Sequence, residues 1–236
     1  MKEPGPEKML IGDTSGIDLT ESQPSLPELL KEHQQHLAAL PADAAPADRA
    51  RVELDIAETQ LALNQNEAAW NTARKAFERF AEAEHWQDAI EACDILYRTG
   101  QPEAIVALGN GVWLAVTYPV PAQLTVTMLH HIVDETPDDS DGAAVAAMAA
   151  KYITDLRTSD EEHESLSFFT TQILGQVAKR HRGIENDQEM LDMWIEILGL
   201  NDKQQLLSRL STMLDAMAGE NWWVDRDALR ARLPVN

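Results

Sequence analysis

Glu67-Ala68-Ala69-Trp70-Asn71-Thr72-Ala73-Arg74-Lys75-Ala76-Phe77 decides how the rest of the chain is read. Ala69, Ala73, Ala76, Phe77 and, just beyond, Phe80 recur at spacings of three and four, the signature of one helical face. Three of those residues are alanine, so a second helix can approach closely while the phenylalanines supply apolar area. Asn64-Gln65-Asn66 reads as the turn before this helix, which runs from Glu67 to about Ala83. Trp86 to Tyr97 forms the next helix, with Ile90, Cys93 and Tyr97 inward, and Arg98-Thr99-Gly100-Gln101-Pro102 stops it. Pro102 can open its successor.

Upstream, Ala45-Pro46-Ala47-Asp48 starts a helix, since proline and aspartate both suit a first turn; Val52, Ile56, Leu61 and Leu63 follow along one face. Ser25-Leu26-Pro27-Glu28 is a capping box ahead of a helix striped by Leu26, Leu29, Leu30 and Leu37 and ended by Pro41. Residues 1–24 mix Gly, Pro, Ser, Thr and acids without helical period and read as a flexible tail.

Sliding the chain by 35 residues brings Ala57 onto Ala92, Leu61 onto Leu96, Ala69 onto Ala104 and Ala73 onto Leu108. On these residues the segment from about 48 to 116 resembles the tetratricopeptide-like helical repeats, with Glu67–Phe77 in the place of a second repeat helix and Ala69 and Ala76 at its small positions. The Trp, Leu, Gly and Tyr signature of the first repeat helix is missing. Gly109 and Gly111 interrupt the second copy, and Tyr118-Pro119-Val120-Pro121 ends it. The resemblance implies stacked helical hairpins whose concave face grips a peptide or helix.

Further helices follow. One runs from Pro121 or Ala122 to Val133, and an alanine-rich one from Gly142 to Leu156. A longer one passes through Phe168, Phe169, Ile173 and Val177 to Arg182-Gly183. Met190, Trp194, Ile195 and Leu198 line the next, and Leu206, Leu207, Leu210, Met213 and Leu214 the one after. A short helix bears Leu229 and Leu233. The expected fold is all-α: tetratricopeptide-like hairpins over 25–118, continuing into a C-terminal helical bundle over 119–236 that packs on the first part.

Charge and cysteine content bound the function. Forty acidic and 19 basic side chains leave a formal net charge of −21, which repels phosphate backbones and suits a basic partner. Cys93 is the single cysteine, so no internal disulfide forms, and inside an apolar face it reads as an inert core thiol. Met1 to Pro6 lacks the basic and apolar regions of a signal peptide, and no apolar run approaches the roughly 20 residues that span a bilayer. A cytoplasmic protein is expected.

Four clusters could carry chemistry. His130-His131-Ile132-Val133-Asp134-Glu135 puts His130 over Asp134 and His131 over Glu135 on a helix, and imidazole with carboxylate could offer ligands to iron or zinc. A further ligand would have to come from elsewhere, with His85 and His163 as candidates; otherwise this is a helix end where exposed histidines meet acids. Asp138-Asp139-Ser140-Asp141-Gly142 fails as a calcium loop, because Gly142 at the sixth position puts Pro137 first and Met148 twelfth; Asp141 is expected to cap the following helix instead. Glu82-Ala83-Glu84-His85, with Asp160-Glu161-Glu162-His163 as a near match, has a di-iron spacing but sits at helix ends. Gly109-Asn110-Gly111 is too short for a phosphate loop.

Trp222-Trp223 is the remaining feature. Trp70, Trp113 and Trp194 fit inward faces, but two adjacent residues cannot both face one core, so one of this pair is expected to stand exposed near Arg226, Arg230 and Arg232. Exposed Trp beside Arg has the composition of an interaction hot spot. The alternative is that both cover the open end of the last hairpin. Trp222, Trp223, Arg226 and Arg230 are therefore the candidate partner-binding residues of an adaptor, assembly factor or dedicated chaperone. The expected partner is another protein, basic or helical, with no nucleic acid, membrane or cofactor. A metal-dependent enzyme centred on His130 and His131, or an acidic nucleic-acid mimic binding a basic protein, stays open as an alternative.

Overall fold

The computed structural model describes residues 24–185 and 187–233; apart from Pro24, the tail read over 1–24 lies outside them. Within these residues there are eleven α-helices and no strand. They are α1 Leu26–Ala39, α2 Pro46–Ala62, α3 Asn66–Glu82, α4 Trp86–Arg98, α5 Ala104–Thr117, α6 Ala122–Glu135, α7 Asp141–Arg157, α8 Asp160–Arg182, α9 Gln188–Ile197, α10 Lys203–Ala218 and α11 Arg226–Ala231.

From α1 to α9 each helix packs on the next, as short turns require. Two of those turns share one geometry. Asn64 and Glu84 both sit at φ 58°, and Gln65 N and His85 N each donate 2.9 Å back to the carbonyl five residues earlier, Gln60 and Phe80. This is a Schellman ending at two successive helices. Asparagine tolerates the left-handed conformation well, whereas glutamate at that φ is held against its preference. Arg232 meets the Glu84 carboxylate at 2.6 Å and ties this turn to the chain's C-terminal region.

The helices form two unequal sides. α2, α4, α6 and α8 pack side by side on one, while α3, α5 and α7 are splayed on the other. The gaps of the splayed side are filled by the chain's own later segments: α10 lies across α5 and α7, and the segment around Trp222-Trp223 packs on α3 and α5. One apolar cluster runs from Ala50 to Leu229.

Three arginines satisfy the bare carbonyls that end neighbouring helices. Arg157 donates to Ala115 O at 2.8 Å and Val116 O at 2.9 Å, closing α5. Arg180 donates to Val133 O at 2.6 Å at the end of α6, and Arg209 to Leu198 O at 2.6 Å at the end of α9. A cation also suits the negative end of each helix dipole.

Several local expectations change. Gly109 and Gly111 do not interrupt a helix: both lie within α5 and mark close approach. A Cβ on Gly111 would stand 2.6 Å from Cys93 Cβ, and one on Gly109 would stand 3.3 Å from Met217 Cβ of α10. Asp141 does not cap α7. Ser140 does, accepting from Gly142 N, while Asp141 opens the first turn. α5 begins at Ala104, two residues beyond Pro102. α1 buries no residue, since among the described residues only α2 packs beside it. Phe168, Phe169, Met190 and Leu207 belong to helical apolar stripes, yet all four are exposed.

Candidate functional site

The Trp222-Trp223 segment is held from inside. Asn110, fully buried in α5, accepts from Trp223 N at 2.9 Å and donates to Asn221 O at 3.3 Å and Val106 O at 2.9 Å. A buried amide whose bonds are so placed fixes the path of the chain passing over it. Here that chain is not helical, so its two indoles can take opposite directions. Trp223 enters between Phe77, 5.1 Å away, and Trp70, 6.3 Å away, both of α3, with the Arg74 guanidinium 4.2 Å over its ring. Trp222 meets Trp113 of α5 at 6.4 Å and carries Arg226 at 3.6 Å over its face. The expectation that one indole stands free is therefore not met. Both are half-buried, because two walls are available instead of one core. Arg226 is committed to Trp222 and to Asp215 at 2.8 Å, and Arg230 lies 5.6 Å over Trp113.

The histidine pair is divided between two settings. His130 keeps its helical partner, with Nδ1 3.8 Å from Asp134, and lies edge-on to Phe169 of α8. His131 does not pair with Glu135. Its Nε2 is 2.6 Å from Asp94 on α4, its ring lies 4.6 Å from Tyr97, and the Tyr97 hydroxyl donates to Glu135 at 2.8 Å. Burial pushes the Asp94 carboxyl up, but bonds from His131 and Arg98 outweigh it and hold the group below its usual range. Burial, reinforced by Glu135, raises the Tyr97 phenol well above its ordinary value. The carboxylate can only accept, so Nε2 of His131 donates to it. No Ser, Thr or Cys lines the adjoining cleft of about 680 Å³ among the described residues. Among those residues no group of three or more His, Cys, Asp or Glu gathers as a metal site. His85 turns to Asp88 at 3.6 Å, and His163 to Asp155 at 3.8 Å.

The α8–α9 edge differs from both clusters. Helix-on-helix packing along the array runs out here: α8 has α6 and α7 on one side and only a light contact with α9 on the other. Trp194 pins α9 by its indole N–H, which donates to His181 Nδ1 of α8 at 3.0 Å; both side chains are buried. Trp194 is buried, but the flank of α9 beside it is left uncovered. Met190, Met193 and Ile197, at spacings of three and four, are 52%, 60% and 74% exposed, and Phe168 on α8 is 67% exposed. Between the helices lies a groove of about 660 Å³ lined by Gln172, Gly175, Gln176, Lys179, Gln188 and Leu191, among others. A Cβ built on Gly175 would meet nothing within 4 Å. This residue therefore leaves the groove floor open to the backbone. Sequence pattern alone did not reveal this edge, since an apolar stripe does not say whether a neighbour exists to cover it.

No family model matches the chain, and neither a curated protein nor a solved structure matches it. Among the described residues, no helix is long and apolar enough to cross a membrane.

Proposed function

We propose that this protein is a helical-array binding module, of the adaptor, assembly-factor or chaperone kind, that takes a basic amphipathic helix of another protein on its α8–α9 edge. One observation carries the reading: Met190, Met193 and Ile197 form a continuous exposed stripe along the flank of α9 beside the anchoring Trp194. Methionine side chains adapt to varied partners, and a contiguous exposed apolar stripe marks an interaction surface more often than chance exposure does. The open floor at Gly175 suits close approach of a second helix, and the net charge of −21 favours a basic one. The tetratricopeptide-like reading of residues 48–116 belongs to the same proposal. It is supported by the neighbour-on-neighbour packing of α2 to α5, and it makes the first half a scaffold.

The Trp222-Trp223 pair has a different role in this proposal. Its rings are spent on α3 and α5, so it closes the array. The test compares capture by the intact chain, by the double variant Met193→Asp/Ile197→Asp, and by Trp223→Ala. The proposal expects a specific bound protein to be lost in the double variant at unchanged melting temperature. Retention of that protein by the double variant would sink the proposal.

A further inference from the structure

A second cavity, on the splayed side of the array, has a chemistry opposite to that of the whole chain. It measures about 370 Å³ and lies between α5, α7, α10 and α11. Its walls are mainly apolar: Trp113, Tyr152, Ile153, Leu156, Leu207 and Leu210 stand among them. Leu156 is 61% and Leu207 43% exposed, so the apolar surface continues out to the rim.

The charges at this cavity are all of one sign. Arg157 and Arg230 line it, and no carboxylate side chain does among the described residues, in a chain with 40 acidic residues against 19 basic. Arg157 spends its guanidinium on Ala115 O, Val116 O and the Thr125 hydroxyl, all uncharged. Burial lowers its affinity for its proton, with no acid beside it to oppose the effect. Arg230 lies 5.6 Å over Trp113 and 3.6 Å from Asp227 at the rim, and Lys203, outside the lining, stands 5.1 Å over the Tyr152 ring. Arg157 has no counter-ion among the described residues, and a positive charge so placed beside a low-dielectric wall gains most from an anion that brings its own apolar body.

We propose that this cavity binds an amphipathic monoanion, a small organic carboxylate with an apolar chain or ring, its carboxylate toward Arg157 and Arg230 and its body against Tyr152, Leu156 and Leu207. At the roughly 30 Å³ that one water occupies in the liquid, the space holds about a dozen non-hydrogen atoms. That is the size of an eight- to ten-carbon acid. The site is separate from the α8–α9 edge and does not depend on what docks there.

Calorimetric titration of the full chain with octanoate and with 4-phenylbutanoate tests this, with octanol and octylammonium as matched controls. Saturable one-to-one binding of at least one acid is expected, and the tighter acid tells a flexible chain from a ring. Octanol and octylammonium should bind at least tenfold more weakly. Arg230→Gln should weaken the acid several-fold. Leu156→Asp should abolish binding while leaving the helical melt unchanged, which separates loss of the site from loss of the fold. Equal binding of octanol and octanoate would overturn the proposal, as would non-saturable uptake or full binding by Leu156→Asp.

Discussion

Gly111 and Gly175 both sit inside helices, and the contrast between them separates the closed centre of the molecule from its open edge. Gly111 of α5 is there because Cys93 of α4 and Met128 of α6 leave no room for a methyl group. Gly175 of α8 faces a groove with nothing within 4 Å. Glycine costs about 1 kcal/mol in a helix relative to alanine. At Gly111 packing offsets that cost; at Gly175 nothing among the described residues does. The centre holds its C-terminal segment with the buried Asn110, whereas the edge leaves Met190 and Met193 in water.

The comparison can be broken in graded steps. The largest expected effect is at Asn110, where alanine would strand the Trp223 amide and the Asn221 carbonyl inside the protein. Unfolding should show a loss of about 3 kcal/mol, from roughly 1–3 kcal/mol per stranded group. A loss under about 1 kcal/mol would mean that the Trp222-Trp223 segment is not closed down as described. Gly111→Ala should cost about 2 kcal/mol by overpacking against Cys93. Asp94→Asn should cost about 1 kcal/mol at neutral pH. Because the Asp94 carboxyl is held low, its contribution is complete above the unfolded value near ~4 and fades as pH falls through the lower folded value. The intact chain should therefore lose more stability on acidification than Asp94→Asn does, as denaturant titrations at pH 7 and pH 3 would show. The smallest effect, with the opposite sign, belongs to Gly175→Ala, which should stabilise the free protein by about 0.5–1 kcal/mol.

How much of this could be read from the sequence depended on whether the signal was local. Ala69, Ala73, Ala76, Phe77 and Phe80 all proved buried, because an alanine-rich helical face between clear breaks specifies its own burial. The starts at Ser25 and Pro46 and the left-handed stops at Gly183 and Gly199 are equally local. The path of the chain after α8 is not local. Met190 and Phe168 carry the same apolar signal as Trp194 and Ile173, yet no further helix among the described residues covers them and they face outward. The surroundings of Trp222 and Trp223 are hidden from the sequence for a related reason. Their adjacency forbids one shared core but not two separate walls, and Asn110, the residue that aims them, lies more than a hundred positions away. The partner of His131 was hidden likewise: Glu135 stands at helical spacing, yet Asp94 of another helix is the nearer acid.

The account's central claim is that the edge of the array receives the partner and the tryptophan segment closes the array. A photo-reactive residue placed at position 197 on α9, or in a separate variant at position 223, tests this in living cells. Illumination should give one discrete higher-mass adduct from position 197 and none from position 223, with both variants folded as the intact protein is. An adduct from position 223 without one from position 197 would contradict the account and return the binding role to Trp222 and Trp223.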